Sequence, residues 1–277
     1  MIPGSNPQPA HYAHVIMGAF PFGHASRSAA IIVCLAATSL SLYGAPNDKY
    51  GMLTELLRAH VHSGRVEYRA LKVDSRLESV VRQFSEAKPE LLATRGEQMA
   101  FWINAYNVFT LKLIADHYPI SSINELHSAP GLVIATVFGR TVWDGYQFSI
   151  GGKAYTLNWI EHEILRERYK DFRIHGAINC ASRSCPPLRS EAFEPTSLDR
   201  QLDDQMRAFL TSSFHNRYDA GTDTLQLSKI FDWFRGDFER AGKLPESIKP
   251  YLSEEVRTRI GPGTKIKFID YDWSLND

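Results

Sequence analysis

The segment from Gly96 to His117, GEQMAFWINAYNVFTLKLIADH, is apolar on nearly every side when wound at 3.6 residues per turn. A helix without a solvent face is a buried central helix, and the rest of the chain has to supply the apolar surface that covers it. The composition is sufficient, with 44% hydrophobic and 12% aromatic residues. The helix is expected to stop before Tyr118-Pro119, because a proline disfavours helical backbone in the residue that precedes it.

Around this helix the pattern is mixed. Lys49 to His62 and Ser75 to Ala87 repeat their apolar residues at helical spacing. Thr141 to Leu157 alternates around Gly151-Gly152 and predicts a hairpin. Asn158 to Tyr169 predicts a helix with Asn158 as N-cap and Glu161 as its capping-box partner. Arg173 to Asn179 suits a short buried strand, and Pro195 to Leu210 a helix in which Asp199 partners a cap at Thr196. Thr224 to Leu227 and Lys265 to Tyr271 read as strands, Lys229 to Arg240 and Ser247 to Arg259 as helices. The expected fold is a single α+β domain over residues 46–277, with the central helix packed on a mostly antiparallel sheet.

Residues 1–45 read as a leader. Arg27 precedes an apolar run, Ser28 to Leu42, shorter than the roughly 20 residues that span a bilayer. A secretory signal peptide fits this pattern, with Met17 offering a start of more ordinary length; an uncleaved membrane anchor is the alternative. The expected location is therefore the periplasm or the extracellular space, with no transmembrane span in the mature chain. The 31 basic and 31 acidic residues balance. This balance argues against capture by nucleic acid and leaves a small molecule or a peptide as the expected partner.

Cleavage of the leader removes Cys34 and leaves Cys180 and Cys185, both within Arg173 to Leu188, RIHGAINCASRSCPPL. Three kinds of chemistry fit this segment. As a nucleophile, Cys180 needs His175 as base and an amide from Asn104 or Asn107 as orienter, and the small residues Ala181, Ser182 and Ser184 permit the turn that would bring thiol and imidazole together. As a structural pair in an oxidising compartment, Cys180 and Cys185 form a disulfide just before Pro186-Pro187. Zinc held by His175, Cys180 and Cys185 with a fourth ligand such as His162 is a minor possibility, because the spacing misses the tight pairs of structural zinc sites; otherwise no metal or cofactor is expected. Asn104 and Asn107 lie on one face of the central helix, and buried amides must find partners, for which the backbone near Cys180 is the expected choice. Glu161 and His162 are further acid–base candidates, and the aromatics of Asp232-Trp233-Phe234 and Tyr271-Asp272-Trp273 suit a core or a small-molecule pocket.

Five segments occur in order: FWINAYNVFTLKLIADHYP from Phe101, YTLNWIEHEILR from Tyr155, RIHGAINCASRSCPPL from Arg173, LSKIFDWFRGDF from Leu227 and YDWSLN from Tyr271. Together they resemble the family catalogued as domain of unknown function 547, a name that carries no reaction. The architecture also loosely resembles papain-like and transglutaminase-like enzymes. There the thiol usually heads the central helix, where this chain offers Asn104. The expected function is an exported domain with a Cys-His site, Cys180, His175, Asn104, Asn107 and Glu161, acting on amide, ester or thiol substrates as a cysteine-dependent hydrolase or transferase. The alternative is a non-catalytic envelope domain that binds a ligand or partner and is stapled by Cys180–Cys185.

Overall fold

The computed structural model describes residues 49–128 and 141–277. The leader, with Cys34 and Met17, lies outside the described residues. In chain order the elements are α1 (Gly51–His60), the pair β1 (Val61–His62) and β2 (Arg65–Val66), α2 (Tyr68–Leu71), α3 (Ser75–Glu86) and α4 (Arg95–His117). Then come α5 (Val142–Gly145), the hairpin β3 (Phe148–Ile150) and β4 (Lys153–Tyr155), and α6, which starts at Leu157–Trp159 and continues as a π-helix over Ile160–Tyr169. The remainder is α7 (Ile174–Ala177), α8 (Leu198–Thr211), β5 (Arg217–Asp219), β6 (Thr224–Ser228), α9 (Ile230–Trp233), α10 (Arg235–Phe238), α11 (Leu244–Ile248), α12 (Glu254–Arg259) and β7 (Lys265–Ile269).

The central helix is α4. Thr94 caps it, accepting from the Glu97 N–H while the Glu97 carboxylate reaches back to the Thr94 N–H, and every residue from Met99 to Leu111 is buried. Its first half packs on α3 through Phe84 and Phe101, whose rings lie 5.3 Å apart. The chain is α+β, as the pattern predicts, but helices and turns cover most of α4. The strands form three small sheets: the antiparallel pairs β1-β2 and β3-β4, and a three-stranded sheet ordered β5-β6-β7 in which β6 and β7 run parallel.

Two apolar clusters result. One surrounds α4 and takes in α1, α3 and α6; the other joins α8, β6, α9, α10 and α11 through Met206, Phe209, Leu227, Phe231, Phe238 and Ile248. The chain after β7 stitches them together. Tyr271 to Asn276 runs as a ribbon whose backbone bonds reach Val66, Ser121, Ala181, Arg183 and Ser184, with the Tyr68 hydroxyl donating to Asn276 at 2.9 Å. Among the described residues no helix is long and apolar enough to cross a membrane.

Several local expectations need correction. Thr156, not Asn158, caps α6, accepting from the Trp159 N–H at 3.1 Å, so Glu161 has no capping duty. Arg173 to Asn179 is a helical turn followed by extended chain rather than a strand, and Gly176 lets it pack tightly, because a Cβ there would stand 3.3 Å from the Met206 Cα. Asp199 caps nothing; it pairs with Arg173 at 2.9 Å. The two C-terminal helices expected over Lys229 to Arg240 and Ser247 to Arg259 are each broken into short pieces.

Candidate functional site

A cavity of about 210 Å³ opens where the two apolar clusters meet. Tyr106 of α4 and Glu161 and His162 of α6 form one side, His175 and Ile178 another, the Cys180 and Cys185 sulfurs a third. Trp143, Trp233, Phe234, Tyr271 and Trp273 complete an aromatic wall, and Trp233 is 46% exposed at its rim.

Asn107 positions the sulfur-bearing turn. Its amide nitrogen donates to the Ala177 carbonyl at 3.0 Å and its oxygen accepts from the Asn179 N–H at 2.9 Å, the docking expected of a buried amide on this helix. Asn104 does the equivalent work elsewhere, holding the backbone N–H and carbonyl of Phe193. Asn179 then ties the turn internally, donating to the Pro186 carbonyl and accepting from Ala181, which takes the left-handed conformation at φ 64°. Within this turn Cys180 and Cys185 are joined by a disulfide, with Cα atoms 6.1 Å apart. Cys185 is 3% exposed, whereas Cys180 keeps some surface. The Cys185 sulfur accepts from the Cys180 N–H at 2.9 Å, and the Tyr271 hydroxyl lies 3.2 Å from each sulfur.

His175 does not take Asn104 or Asn107 as partner. Its Nε2 meets the Asp237 carboxylate at 2.7 Å, and its ring stacks on Phe234 at 4.1 Å. Asp237 also accepts from Arg166 at 2.6 Å and Arg240 at 2.7 Å. Burial alone would raise the Asp237 carboxyl, but the hydrogen bonds from His175 and Arg166 outweigh it and hold the group well below the usual carboxylate range. Burial lowers His175 and outweighs the raising effect of Asp237, and the nearby Arg166 and His162 add to the lowering. A neutral imidazole donating through Nε2 carries its lone pair on Nδ1, which makes His175 a base.

Glu161 is the opposite case. Burial pushes its carboxyl up to about 7, against the lowering effects of Arg166 and of the Tyr106 hydroxyl 3.4 Å away, while the Asp237 charge adds to the rise. Beside it, Arg166 meets His162 Nδ1 at 2.5 Å; a guanidinium only donates, so the His162 proton sits on Nε2, and burial lowers this imidazole too. Glu161, which lines the cavity, and Asp237, which reaches it through His175, are thus driven in opposite directions, the arrangement that supplies an acid and a charged partner at the same pH. Among the described residues, no three His, Cys, Asp or Glu side chains gather to hold a metal ion.

Asp237, Arg166 and Arg240 are the residues that the sequence pattern missed. Asp237 is the penultimate residue of the same LSKIFDWFRGDF segment in which Asp232 attracts attention, yet Asp232 pairs with Lys229 at 2.7 Å. Arg166 follows His162 by one helical turn, a spacing that marks contact, though not function.

No curated protein and no solved structure matches this chain. Residues 90–210 match the family model described as "Protein of unknown function, DUF547", a stretch that holds Asn107, Glu161, His175 and the Cys180–Cys185 turn. Over that stretch the chain is similar to the DUF547 family.

Proposed function

We propose that the chain is an enzyme that hydrolyses an amide or ester bond of a small molecule or short peptide by acid–base chemistry in this cavity. The observation that carries the reading is that His175, held by Asp237 at 2.7 Å from behind the wall, lines the same cavity as Glu161. In the proposed step His175 Nδ1 takes a proton from water, the water oxygen adds to the carbonyl carbon, and protonated Glu161 gives its proton to the departing nitrogen or oxygen. Cys180 is not the nucleophile in the bridged form, because its sulfur is bonded to Cys185. Asp237 is a positioning residue that fixes the imidazole tautomer. A disulfide of this kind persists in oxidising compartments, which supports an exported location.

The aromatic wall and the stapled turn favour a second reading, a binding domain without turnover. One experiment separates the two. The purified chain is given 4-nitrophenyl acetate and an N-acetyl-phenylalanine 4-nitroanilide, with tryptophan fluorescence following binding. Hydrolysis above the spontaneous rate that falls about 100-fold in both Glu161→Gln and His175→Gln, with binding retained, supports the enzyme. Binding without hydrolysis, or equal rates in the variants, overturns it.

A further inference from the structure

The two sulfurs of the bridge differ in surroundings. Cys180 keeps surface on the cavity, whereas Cys185 is buried, touches the cavity on one side, and on the other lines a second cavity with Arg65, Arg183 and His215. Both sulfurs lie 3.2 Å from the Tyr271 hydroxyl, and Cys180 Sγ stands 3.6 Å from Ser182 Oγ. Cys185 differs in accepting a backbone donor, the Cys180 N–H at 2.9 Å. Ser182 Oγ donates to the Tyr271 oxygen at 2.9 Å, which frees the phenol's own hydrogen for a sulfur. Burial raises the Tyr271 hydroxyl above its ordinary value, so that hydrogen is retained.

We propose that Cys180–Cys185 is an exchangeable bridge: a small thiol with an aromatic or apolar body enters the cavity and attacks Cys180, and Cys185 leaves as a thiolate held by the Cys180 N–H and the Tyr271 hydroxyl. In the first step the thiolate RS⁻ forms a bond to Cys180 Sγ, the Sγ–Sγ bond breaks, and its electron pair stays on Cys185. In the second step another RS⁻ attacks the R–S sulfur of the mixed disulfide, releasing RSSR and the Cys180 thiolate. Two thiols are thereby oxidised and the bridge takes up two electrons. The hydrogen bonds on Cys185 stabilise the departing charge, and a better-stabilised thiolate leaves faster. The aromatic wall of Trp143, Trp233 and Trp273 is the surface that favours an aryl body in the attacking thiol. This activity goes beyond the hydrolytic reading and does not rest on it; it is read by mass, so either can fail while the other stands.

The test uses the full chain in its oxidised form with millimolar benzyl mercaptan, quenched with N-ethylmaleimide and mapped by peptide mass. The expected product carries the benzylthio group on Cys180 and maleimide on Cys185, and Tyr271→Phe forms it about tenfold more slowly, the loss of one hydrogen bond to a charged sulfur. An adduct on Cys185, an unchanged rate in Tyr271→Phe, or a wild-type bridge that opens only as fast as the whole chain unfolds in urea each overturns the proposal. The mapping is made on the wild type, so it decides the question even if Tyr271→Phe does not fold.

Discussion

Replacing Asn107 by alanine should destabilise the chain by about 2–5 kcal/mol, roughly 1 kcal/mol for each of two hydrogen bonds plus the desolvation of the groups left behind. Both bonds are buried: Asn107 is 7% exposed and its partners, the Ala177 carbonyl and Asn179 N–H, lie on covered chain. Alanine leaves a donor and an acceptor with no water to replace the amide, and it also opens a small void. For a domain of this size the loss corresponds to a fall in Tm of about 10 °C. Asn104→Ala is the matched control. It removes two equivalent bonds, to the N–H and carbonyl of Phe193, and should cost a similar amount without touching the sulfur-bearing turn. Urea unfolding followed by tryptophan fluorescence gives the energies, and amide hydrogen exchange over residues 177–182 gives the location. Asn107→Ala should speed exchange there and Asn104→Ala should not. A loss below about 1 kcal/mol in Asn107→Ala, or the same exchange pattern in both variants, refutes the idea that α4 holds the turn through this amide.

The raised carboxyl of Glu161 makes stability depend on pH. Because its folded value, about 7, lies above its ordinary one, its contribution is full below the ordinary carboxylate value and is lost as pH rises through about 7. Tm measured across that window should fall more steeply in the wild type than in Glu161→Gln, and parallel curves would refute the shift. Gly64 takes φ +83°, and a Cβ built on it would stand 2.5 Å from the Pro187 Cβ. Gly64→Ala should therefore cost about 2 kcal/mol or more in urea unfolding, and a neutral result would mean that the β1-β2 turn does not buttress the Pro186-Pro187 segment.

The parts of this fold legible in the sequence are those fixed by neighbours along the chain. Helices α3 and α4 and the Gly151-Gly152 turn follow from apolar period, caps and turn residues within a few positions, whereas the helix expected over Lys49 to His62 ends at His60 and the first part of the hairpin expected over Thr141 to Leu157 forms α5. Arg173 to Asn179 fails for a stated reason: a short run of apolar and small residues looks the same in a buried strand and a buried helical turn. The cap of α6 was displaced because Thr156 and Asn158 are both good N-caps two residues apart. At the site, the burial of two asparagines on an all-apolar helix announces that they bind backbone, and one of them does so beside the cysteines. The His175–Asp237 pair spans 62 residues, and no local spacing encodes it; only the packing of α7 against α10 does.

The wall formed by Tyr271 and Trp273 belongs to the ribbon after β7, which bonds to three separate stretches laid down long before it, at Val66, at Ser121 and across residues 181–184. During translation, α4, α6 and the cysteine turn leave the ribosome ahead of the strip that fastens them. A nascent chain that stops short of Tyr271 presents the Cys180–Cys185 pair without its phenol and the pocket without one side, so assembly of this chemistry waits for the ribbon after β7.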